Sequence, residues 1–394
     1  MVRVENVNFI GVLFVVIKLF HAVNTNPFRT NDAYRHSNIS FPSGLAASAP
    51  LTNRPYNITY PLTEPVIKDD GSVEYKLAII SDQDMLSKHT TGASTWLSYL
   101  KMGKLIIRAD WTQADIVWDA SKPNNTQAEH TVASDTFSGA GQIILSQFAF
   151  GNRGMELSDI VVFDGRLFAC EDRTGIIFEI VDNQVVPWVI LADGNGRKQK
   201  GFKCEWSIVK DEHLFVGSHS ADIKIPNPGG PSVEANQRWV KKVSKDGFVE
   251  HLDWNTQYAA IEKELGIKPP GYIMHEAVLW SQIRQHWHFL PRQISPENFT
   301  EERHPYTCSN VMLSINADYT QFQKLNIGEH NPLYGFSAAR FVPGTDDNVI
   351  VALRIMEVGD TFTTRIIVFT INGNILMEEE LVLDGLKYEG IEFV

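Results

Sequence analysis

Five serine and glutamate residues each stand just before an apolar, strand-forming run, at successive spacings of 47, 71, 61 and 52 residues: Ser158, Glu205, Glu276, Ser337 and Glu389. A single residue of this kind needs no role beyond capping a strand or pairing with a neighbour. A pattern that recurs five times indicates one residue per structural repeat. Three converging glutamates would repel one another unless a divalent cation lay between them. Because every member donates oxygen, the cation that suits the set best is Ca²⁺.

Repeated strand meanders are the elements that would position these residues. Between Arg153 and Ile180, apolar runs at 160–163 and 167–170 flank an Asp164-Gly165 hairpin signal, and a third run follows at 176–180. Related runs follow the other four positions. Repeats of about 40–50 residues with several strands each are typical of β-propellers. The sequence therefore predicts an all-β fold, a five-bladed β-propeller.

The first blade should be built from both ends of the predicted domain, which runs from 74 to 394. We expect its strands at 75–80, 95–100, 104–107, 116–119 and 142–145. The C-terminal residues 390–394 would join it and close the ring, which removes open sheet edges. A short helix is expected at 261–265.

The overall charge narrows the classes of partner. The chain has 394 residues, 43% of them hydrophobic, and a formal net charge of −12. Nucleic acids bind basic surfaces, so a nucleic-acid partner is excluded, whereas an acidic protein concentrates cations. An acidic enzyme acting on an anionic nucleotide would need a metal ion and local basic residues. The oligomeric state stays open, a homodimer included.

The N-terminal region indicates a secretory route. Residues 1–24 are typical of a signal peptide, with an apolar run at 9–17, and a polar extension follows at 25–73. A short signal anchor is the alternative, but Lys18 interrupts the run, so we expect no stable membrane span. Four N-x-S/T sequons favour secretion with glycosylation: Asn38, Asn57, Asn124 and Asn298. The protein is expected to be secreted, or else to lie in the secretory-pathway lumen.

We do not expect the three cysteines to form a disulfide scaffold, because a core of this size is stable without disulfide bonds. Cys170 lies in an apolar strand, Cys204 is close to Trp206, and the third is Cys308. We favour buried free thiols for all three; the alternative is one bridge and one free thiol.

Several longer motifs resemble a known family. The segments GMELSDIVVFDGRLF, EDRTGIIFEI, KGFKCEW, PPGYIMHEA, GFSAARFVP and KYEGIEFV are similar to the calcium-activated nucleotidases, the apyrases of vertebrate secretory compartments and of blood-feeding arthropod saliva. The similarity runs in order from about Tyr75 to Val394. It implies a five-bladed propeller with one Ca²⁺ in the central tunnel and hydrolysis of nucleoside di- and triphosphates to monophosphates. It also implies that the five repeated Ser and Glu residues are the calcium ligands.

This resemblance suggests roles for further residues. Hydrolysis of a phosphoanhydride needs cations on the phosphates and a group that activates or positions water. For water activation or a place around the metal we select acids at strand ends, Asp82, Asp84 and Asp172, with Asp119 and Asp193 as further candidates. For the phosphates we select Arg173, Lys203, Arg292 and Arg340, since Arg binds phosphate bidentately. Trp239, Trp206 and Tyr272 are candidates for stacking on the base.

Each of these assignments has a simpler structural explanation. Asp is common in turns whatever its chemistry, most Lys and Arg are solvated, and an aromatic residue in a propeller commonly packs in the core. The family's DGDG turn reads Asp193-Gly194-Asn195-Gly196 here, so one of its two acids is an amide. An inactive calcium-binding propeller and an esterase-type propeller both stay open. The Asp172-Arg173 pair and Lys203 favour the nucleotidase.

Overall fold

The computed structural model describes residues 54–89, 94–120, 139–221, 224–225, 232–233 and 235–394. These residues form five antiparallel sheets of four or more strands, a two-stranded ribbon and one α-helix. The innermost strand of each large sheet contacts the innermost strands of two other sheets, so the contacts run around a closed ring. The protein is therefore an all-β, five-bladed β-propeller, as predicted.

The blades follow one another along the chain, with the innermost strand given first except in blade 1. Blade 1 combines Val66–Ile67, Val73–Ser81, Trp96–Ile107, Ala114–Trp118 and Gln142–Ser146 with the inner strand Tyr388–Phe393. Blade 2 contains Leu157–Phe163, Arg166–Glu171, Ile176–Val181 and Gln184–Ile190. Blade 3 contains Trp206–Lys210, His213–Gly217, Trp239–Val243 and Val249–Asp253. Blade 4 contains Tyr272–Ser281, His286–Ser295, Val311–Asn316 and Phe322–Asn326. Blade 5 contains Gly335–Phe341, Val349–Val358, Thr361–Thr370 and Ile375–Asp384.

The shorter elements lie between the blades' strands. The two-stranded ribbon pairs Lys224–Ile225 with Ser232–Val233, and the α-helix is Asn255–Glu264. Short 3-10 helices occur at Asp84–Ser87, Ala235–Arg238 and His304–Tyr306.

The hairpin signal in blade 2 forms the turn that was predicted. Asp164 and Gly165 have φ angles of 54° and 67°, and the flanking residues Phe163 and Arg166 pair across the turn. Positive φ at both central positions is the geometry of a type I′ turn, whose twist matches that of the strands it joins. This local preference favours the tight return that starts the meander.

The C-terminal strand closes the ring, as predicted. Tyr388–Phe393 pairs antiparallel with Val73–Ser81, so one blade contains both ends of the domain. Gly390 lies against the next blade, where an added Cβ would come within 2.7 Å of the Ile160 nitrogen. Glycine therefore permits the close approach of blades 1 and 2 on which closure depends.

Two element boundaries differ from the sequence-based expectation. The strands expected at 95–100 and 104–107 are one continuous strand, Trp96–Ile107. Gly103 lies inside it, beneath the Trp118 ring, and a Cβ there would approach that ring to 2.6 Å. Glycine thus makes room for a tryptophan and does not break the strand. The helix expected at 261–265 begins earlier and is Asn255–Glu264.

The part of the N-terminal region that the structure describes lies against the propeller. Val66–Ile67 pairs with Val73–Ser81, the Asn57 N–H donates to Asp164, and the Tyr60 hydroxyl donates to Glu392. The signal peptide at 1–24, most of the extension at 25–73, and the sequons at 38 and 124 fall outside the described residues, and those boundaries stay predictions. The sequon residues Asn57 and Asn298 are exposed. Among the described residues, no helix is long and apolar enough to cross a membrane.

The favoured prediction of three free thiols is wrong. Cys170 and Cys204 form a disulfide between the second strand of blade 2 and the residue two before blade 3, whereas Cys308 is a buried free thiol. The two bonded cysteines are 34 residues apart in sequence, so a local pattern could not pair them. The fold brings their backbones together, with a Cα–Cα distance of 6.1 Å. The alternative of one bridge and one free thiol is confirmed.

We expect the double variant Cys170→Ala/Cys204→Ala to lose about 3 kcal/mol of unfolding free energy, because the bridge removes loop-closure entropy from the unfolded chain. Denaturant unfolding of the purified protein measures this change. Cys308→Ala is the matched control, since Cys308 is also buried but closes no loop. A double variant no less stable than this control would contradict the prediction.

Candidate active site

Backbone irregularities mark the five predicted metal positions. In four inner strands the pairing register shifts and leaves one residue without a partner on the neighbouring strand: Ser158, Glu276, Ser337 and Glu389. In blade 3, Glu205 directly precedes the inner strand, and its N–H donates to the carbonyl of Gly217, the residue already paired with Trp206. A β-bulge re-aims the side chain of the extra residue. The five positions therefore share a backbone feature as well as a sequence pattern.

A single network of ion pairs surrounds these residues. We call this network the axial cluster. Its contacts all have N···O distances of 4.0 Å or less. Its carboxylates are Asp82, Asp84, Glu156, Asp172, Glu205, Glu276, Glu357 and Glu389. Its basic side chains are Arg153, Arg173, Lys203, Arg292 and Lys387. Eight acids against five bases give the cluster an excess of negative charge when every group is ionised.

Lys203 joins blades 2 and 3. Its Nζ lies 2.6 Å from Asp172 Oδ2 and 2.5 Å from Glu205 Oε1. Burial alone would raise the pKa of Asp172, but the charges of Lys203 and Arg173 lower it below its usual value. Asp172 therefore stays ionised at neutral pH. Its Oδ1 is buried and has no hydrogen-bond partner among the described residues.

Arg292 and Lys387 join blades 4, 5 and 1. The Arg292 Nη1 donates to both oxygens of Glu276, at 2.9 and 3.0 Å, and lies 3.5 Å from Glu389. Lys387 contacts Glu389 at 3.3 Å and Asp84 at 2.5 Å. Burial and crowding with other carboxylates nevertheless raise the pKa of Glu276 to about 7 and that of Glu389 to about 8.

Arg153 and Arg173 flank the mouth of the cluster on blade 2. Arg153 donates to Glu156, with its Nε 2.7 Å from Oε1, and to Asp84 at 3.0 Å. Arg173 is held more loosely, 3.9 Å from Glu156 and 4.0 Å from Asp172. Its side chain is 31% exposed, and its Nε has no hydrogen-bond partner in the part of the chain that the structure describes. Arg173 is therefore the cation of this cluster best placed to receive an incoming anion.

The chemistry of the five predicted ligands suits a calcium ion. Glu205, Glu276 and Glu389 are buried and influence one another's ionisation by charge repulsion. The Ser158 hydroxyl is buried without a hydrogen-bond partner in the described chain, and the Ser337 hydroxyl makes one long bond, 3.4 Å, to the Tyr388 carbonyl. Crowded carboxylates beside poorly satisfied hydroxyls are the oxygen ligands that Ca²⁺ accepts.

Among the described residues, one group of three carboxylates meets the geometry of a metal site, and none of the five predicted calcium ligands belongs to it. One oxygen each of Asp82, Glu156 and Asp172 lies within 4.8 Å of the other two, so these three could hold a metal ion. Burial raises the pKa of Glu156 to about 9, and the charge of Asp82 adds to the shift. Burial likewise raises the pKa of Asp82 well above its usual value, against the opposing charge of Lys387. These groups lie beside the five bulged positions and belong to the same network.

Two residues selected from the sequence lie apart from the axial cluster. Arg340 is buried, donates to both oxygens of Asp159 at 3.0 Å, and contacts Glu392 at 3.1 Å. It is three residues beyond Ser337 on its strand, about 10 Å along a β-strand. Trp239 is partly buried and packs against the hydrophobic cluster between blades 2 and 3. The structure thus gives Arg340 and Trp239 structural contacts and brings neither into the axial cluster.

The other aromatic and acidic candidates also make structural contacts. Trp206 is 1% exposed within the core, and the Tyr272 hydroxyl lies 3.2 Å from both His304 and Thr307. Asp193 accepts bonds from the Gly194 N–H at 2.8 Å and from Asn236 at 3.2 Å, which is the turn-forming role that Asp commonly takes.

Sequence reasoning missed four members of the cluster: Arg153, Glu156, Glu357 and Lys387. Two of them had a usable signal, because Glu156 and Lys387 lie inside the motifs GMELS and KYEGIEFV that carry the family resemblance. Arg153 stands one residue before the first of these motifs. Glu357 had no signal, since it lies near the end of the second strand of blade 5 and joins the cluster through Arg292, at 2.6 Å, and Lys387, at 4.0 Å.

A five-bladed propeller with a buried, acid-rich network at one mouth of its axis is a fold suited to holding a cation and an anionic ligand together. The family model described as apyrase matches residues 83–394. The chain is 39% identical to soluble calcium-activated nucleotidase 1 of Rattus norvegicus over 86% of its length and 78% of that relative's. It is 35% identical to an apyrase of Cimex lectularius over 86% and 87% of the two chains. It is also 38% identical to apyrase apy-1 of Caenorhabditis elegans, over 82% and 86%. The chain belongs to the apyrase family.

We predict that Arg340→Met destabilises the fold without a specific effect on phosphate binding. The substitution leaves Asp159 and Glu392 buried without their cation, which costs about 3–5 kcal/mol for a broken buried pair. Thermal and denaturant unfolding, with nucleotide KM measured on the folded fraction, separate the two roles. Arg303→Met is the control, because Arg303 pairs with Glu297 on the surface. Unchanged stability together with a raised KM would show that Arg340 contacts phosphate after all.

Proposed function

We propose that the protein is a calcium-dependent apyrase that hydrolyses the phosphoanhydride bonds of nucleoside di- and triphosphates such as ADP, UDP, GDP and ATP. Family membership supports a nucleotidase activity. The observation that carries the finer statement is the axial cluster, in which bulged oxygen ligands lie beside cations at the same mouth of the propeller. The rat relative is named as a calcium-activated nucleotidase.

Ser158, Glu205, Glu276, Ser337 and Glu389 would hold the calcium ion. When bound, the ion would supply positive charge that offsets the excess of carboxylates and favours an anionic substrate. We assign the phosphate contacts to Arg173, which is partly exposed, and to Lys203 and Arg292 within the network. Arg presents a planar pair of donors that matches phosphate oxygens, whereas Lys acts as a point charge.

Asp172 is our choice for the residue that positions or activates the attacking water. Its Oδ2 is bound by Lys203 at 2.6 Å, while its Oδ1 is without a partner in the described chain. An ionised oxygen that faces the cluster can accept a proton from water. Asp82 and Asp84 flank this position, where Lys387 contacts both, and they would orient the surrounding cations.

The calcium assignment predicts two linked properties. Chelation should abolish phosphate release from ADP and UDP and should lower the melting temperature, since a hundredfold excess of ligand over Kd stabilises a fold by about 2.7 kcal/mol. Glu205→Gln keeps the side-chain size but removes one ligand charge, so it should weaken calcium binding and be partly rescued by excess calcium. Calcium titrations followed by melting temperature and by phosphate release measure both. Glu250→Gln, at an exposed ion pair with Lys242, is the control.

The phosphate assignment predicts a different response from Arg173→Ala. Loss of one preorganised donor should lower kcat/KM by about 10²-fold or more, and excess calcium should not restore it. The calcium-dependent rise in melting temperature should match that of the unchanged protein. Calcium rescue of Arg173→Ala would mean that the arginine supports the metal ligands, and full activity would place it outside the site. Calcium stabilisation without any phosphate release by the unchanged protein would favour an inactive calcium-binding propeller.

We also propose that the protein is secreted and glycosylated. The exposed sequons at Asn57 and Asn298 are open to modification, and the Cys170–Cys204 disulfide suits an oxidising compartment. Expression in animal cells should release a protein that lacks about the first two dozen residues, the length of a typical signal peptide. Recovery of the intact N-terminus in a membrane fraction would instead support a signal anchor.

A further inference from the structure

Glu357 is the most exposed carboxylate of the axial cluster. Its side chain is 36% exposed, that of Asp84 is 29% exposed, and those of the other six acids are at most 8% exposed. The residue lies near the end of the strand Val349–Val358, just before the hairpin turn at 359–360. None of the proposed metal-binding, phosphate-binding or water-activating roles falls to it.

Two basic side chains hold the Glu357 carboxylate. Its Oε2 lies 2.6 Å from Arg292 Nη2 and 4.0 Å from Lys387 Nζ. Burial alone would raise the pKa of Glu357, but the charges of Lys387 and Arg292 lower it to about 2. The carboxylate is therefore ionised at neutral pH, and its contact with Arg292 is an ion pair.

The guanidinium of Arg292 is fully occupied on one side only. Its Nη1 donates to both oxygens of Glu276, at 2.9 and 3.0 Å. Its Nη2 donates to Glu357 at 2.6 Å, whereas its Nε has no hydrogen-bond partner among the described residues. Nε and Nη2 lie on one edge of the guanidinium plane, and such a pair of donors can bind one carboxylate or phosphate bidentately. Glu357 therefore occupies half of an edge that suits an anion.

A phosphate can replace Glu357 on Arg292 more easily than it can replace Glu276. The Glu276 side chain is only 8% exposed, and a buried carboxylate that loses its cation is costly. Glu357 can instead be hydrated when it leaves, because an ion pair that solvent reaches contributes little. A terminal phosphate also carries more negative charge than one carboxylate and offers several acceptor oxygens. Exchange at the Nε–Nη2 edge is therefore the favoured way for Arg292 to accept a phosphate.

We propose that Glu357 is a displaceable counter-ion, which competes with the substrate's phosphate for the Nε–Nη2 edge of Arg292. It pairs with this edge while no phosphate is bound, and each substrate exchanges with it. Its return to Arg292 after hydrolysis favours release of the phosphate product. Glu357 acts through Arg292 and is therefore a positioning residue. The proposal rests on the proposed function, since it takes Arg292 as a phosphate contact.

The test removes the charge of Glu357 and keeps its size, in the variant Glu357→Gln. Full-length protein with saturating calcium is titrated calorimetrically with methylenediphosphonate, a diphosphate mimic that is not hydrolysed. We expect the variant to bind it about tenfold more tightly, since a nearby like charge at a partly exposed site opposes binding by an amount of this order. Inorganic phosphate should inhibit the variant at correspondingly lower concentration. The KM for ADP should fall, and kcat should not rise.

Glu380→Gln is the matched control. It removes one negative charge from the same blade, at an exposed position on the strand Ile375–Asp384. It therefore corrects for the change in net charge, and it should leave the affinity for methylenediphosphonate, the inhibition by phosphate and the KM unchanged. In both variants the calcium-dependent rise in melting temperature should match that of the unchanged protein, because neither residue is a predicted calcium ligand.

The sign of the change decides between two roles for Glu357. Weaker binding of methylenediphosphonate by Glu357→Gln would overturn the proposal and show that the carboxylate only orients Arg292. Unchanged affinity, or no binding by either protein, would also overturn it, because the diphosphonate would then not exchange with Glu357. Hydrolysis of ADP by the unchanged protein would leave the proposed function standing in each of these cases. Tighter binding by the variant, without phosphate release from ADP or UDP by the unchanged protein, would support the counter-ion and contradict the proposed function.

Discussion

The structure depends on concentrating buried negative charge at the axis of the ring. Eight carboxylates share five basic side chains there, and several of the acids are almost fully buried. Crowded, buried carboxylates are costly to ionise, and this is why the pKa values of Glu156, Glu276 and Glu389 rise. Only a rigid scaffold can hold such groups together. The closed ring supplies one, because the C-terminal strand pairs with Val73–Ser81 and ties both ends of the domain into one blade.

The inner strands carry two buried ionic networks, one around Arg340 and the other the axial cluster. The two networks differ in whether their polar atoms have hydrogen-bond partners. Around Arg340, each charge is satisfied: Asp159 also accepts from the Ser207 N–H and hydroxyl, and Glu392 from the Val162 N–H. In the axial cluster, buried polar atoms stay without partners in the described chain, among them Ser158 Oγ, Asp172 Oδ1 and Arg292 Nε. Satisfied networks fix a fold, whereas unsatisfied ones leave bonds for a ligand. The second kind lies at the bulged ends of the strands.

Much of the fold could be predicted from the sequence, because hairpin signals, strand runs and the repeated Ser or Glu are local patterns. The bulges were not visible, since a bulge exists only relative to the partner strand, as Glu276 shows against Pro291 and Leu290. The sequence alone does not distinguish Arg340 from Arg292. Arg340 lies three residues beyond Ser337 on the same strand and forms a structural ion pair with Asp159, whereas Arg292 lies on the neighbouring strand and pairs with Glu276. The Cys170–Cys204 pairing likewise depends on distance between blades, which no local pattern contains.

Blade 2 contains both tightly held residues near the axis and exposed residues. Its inner strand and the Asp172-Arg173 turn are fixed from several sides, by Lys203, by the neighbouring disulfide and by Glu156. Phe150 and Gln199, by contrast, are exposed. Substitution there changes a surface without disturbing the charges, because exposed side chains outside the core have small effects on stability. Exposed positions beside blade 2 can therefore change without altering the charges at the axis.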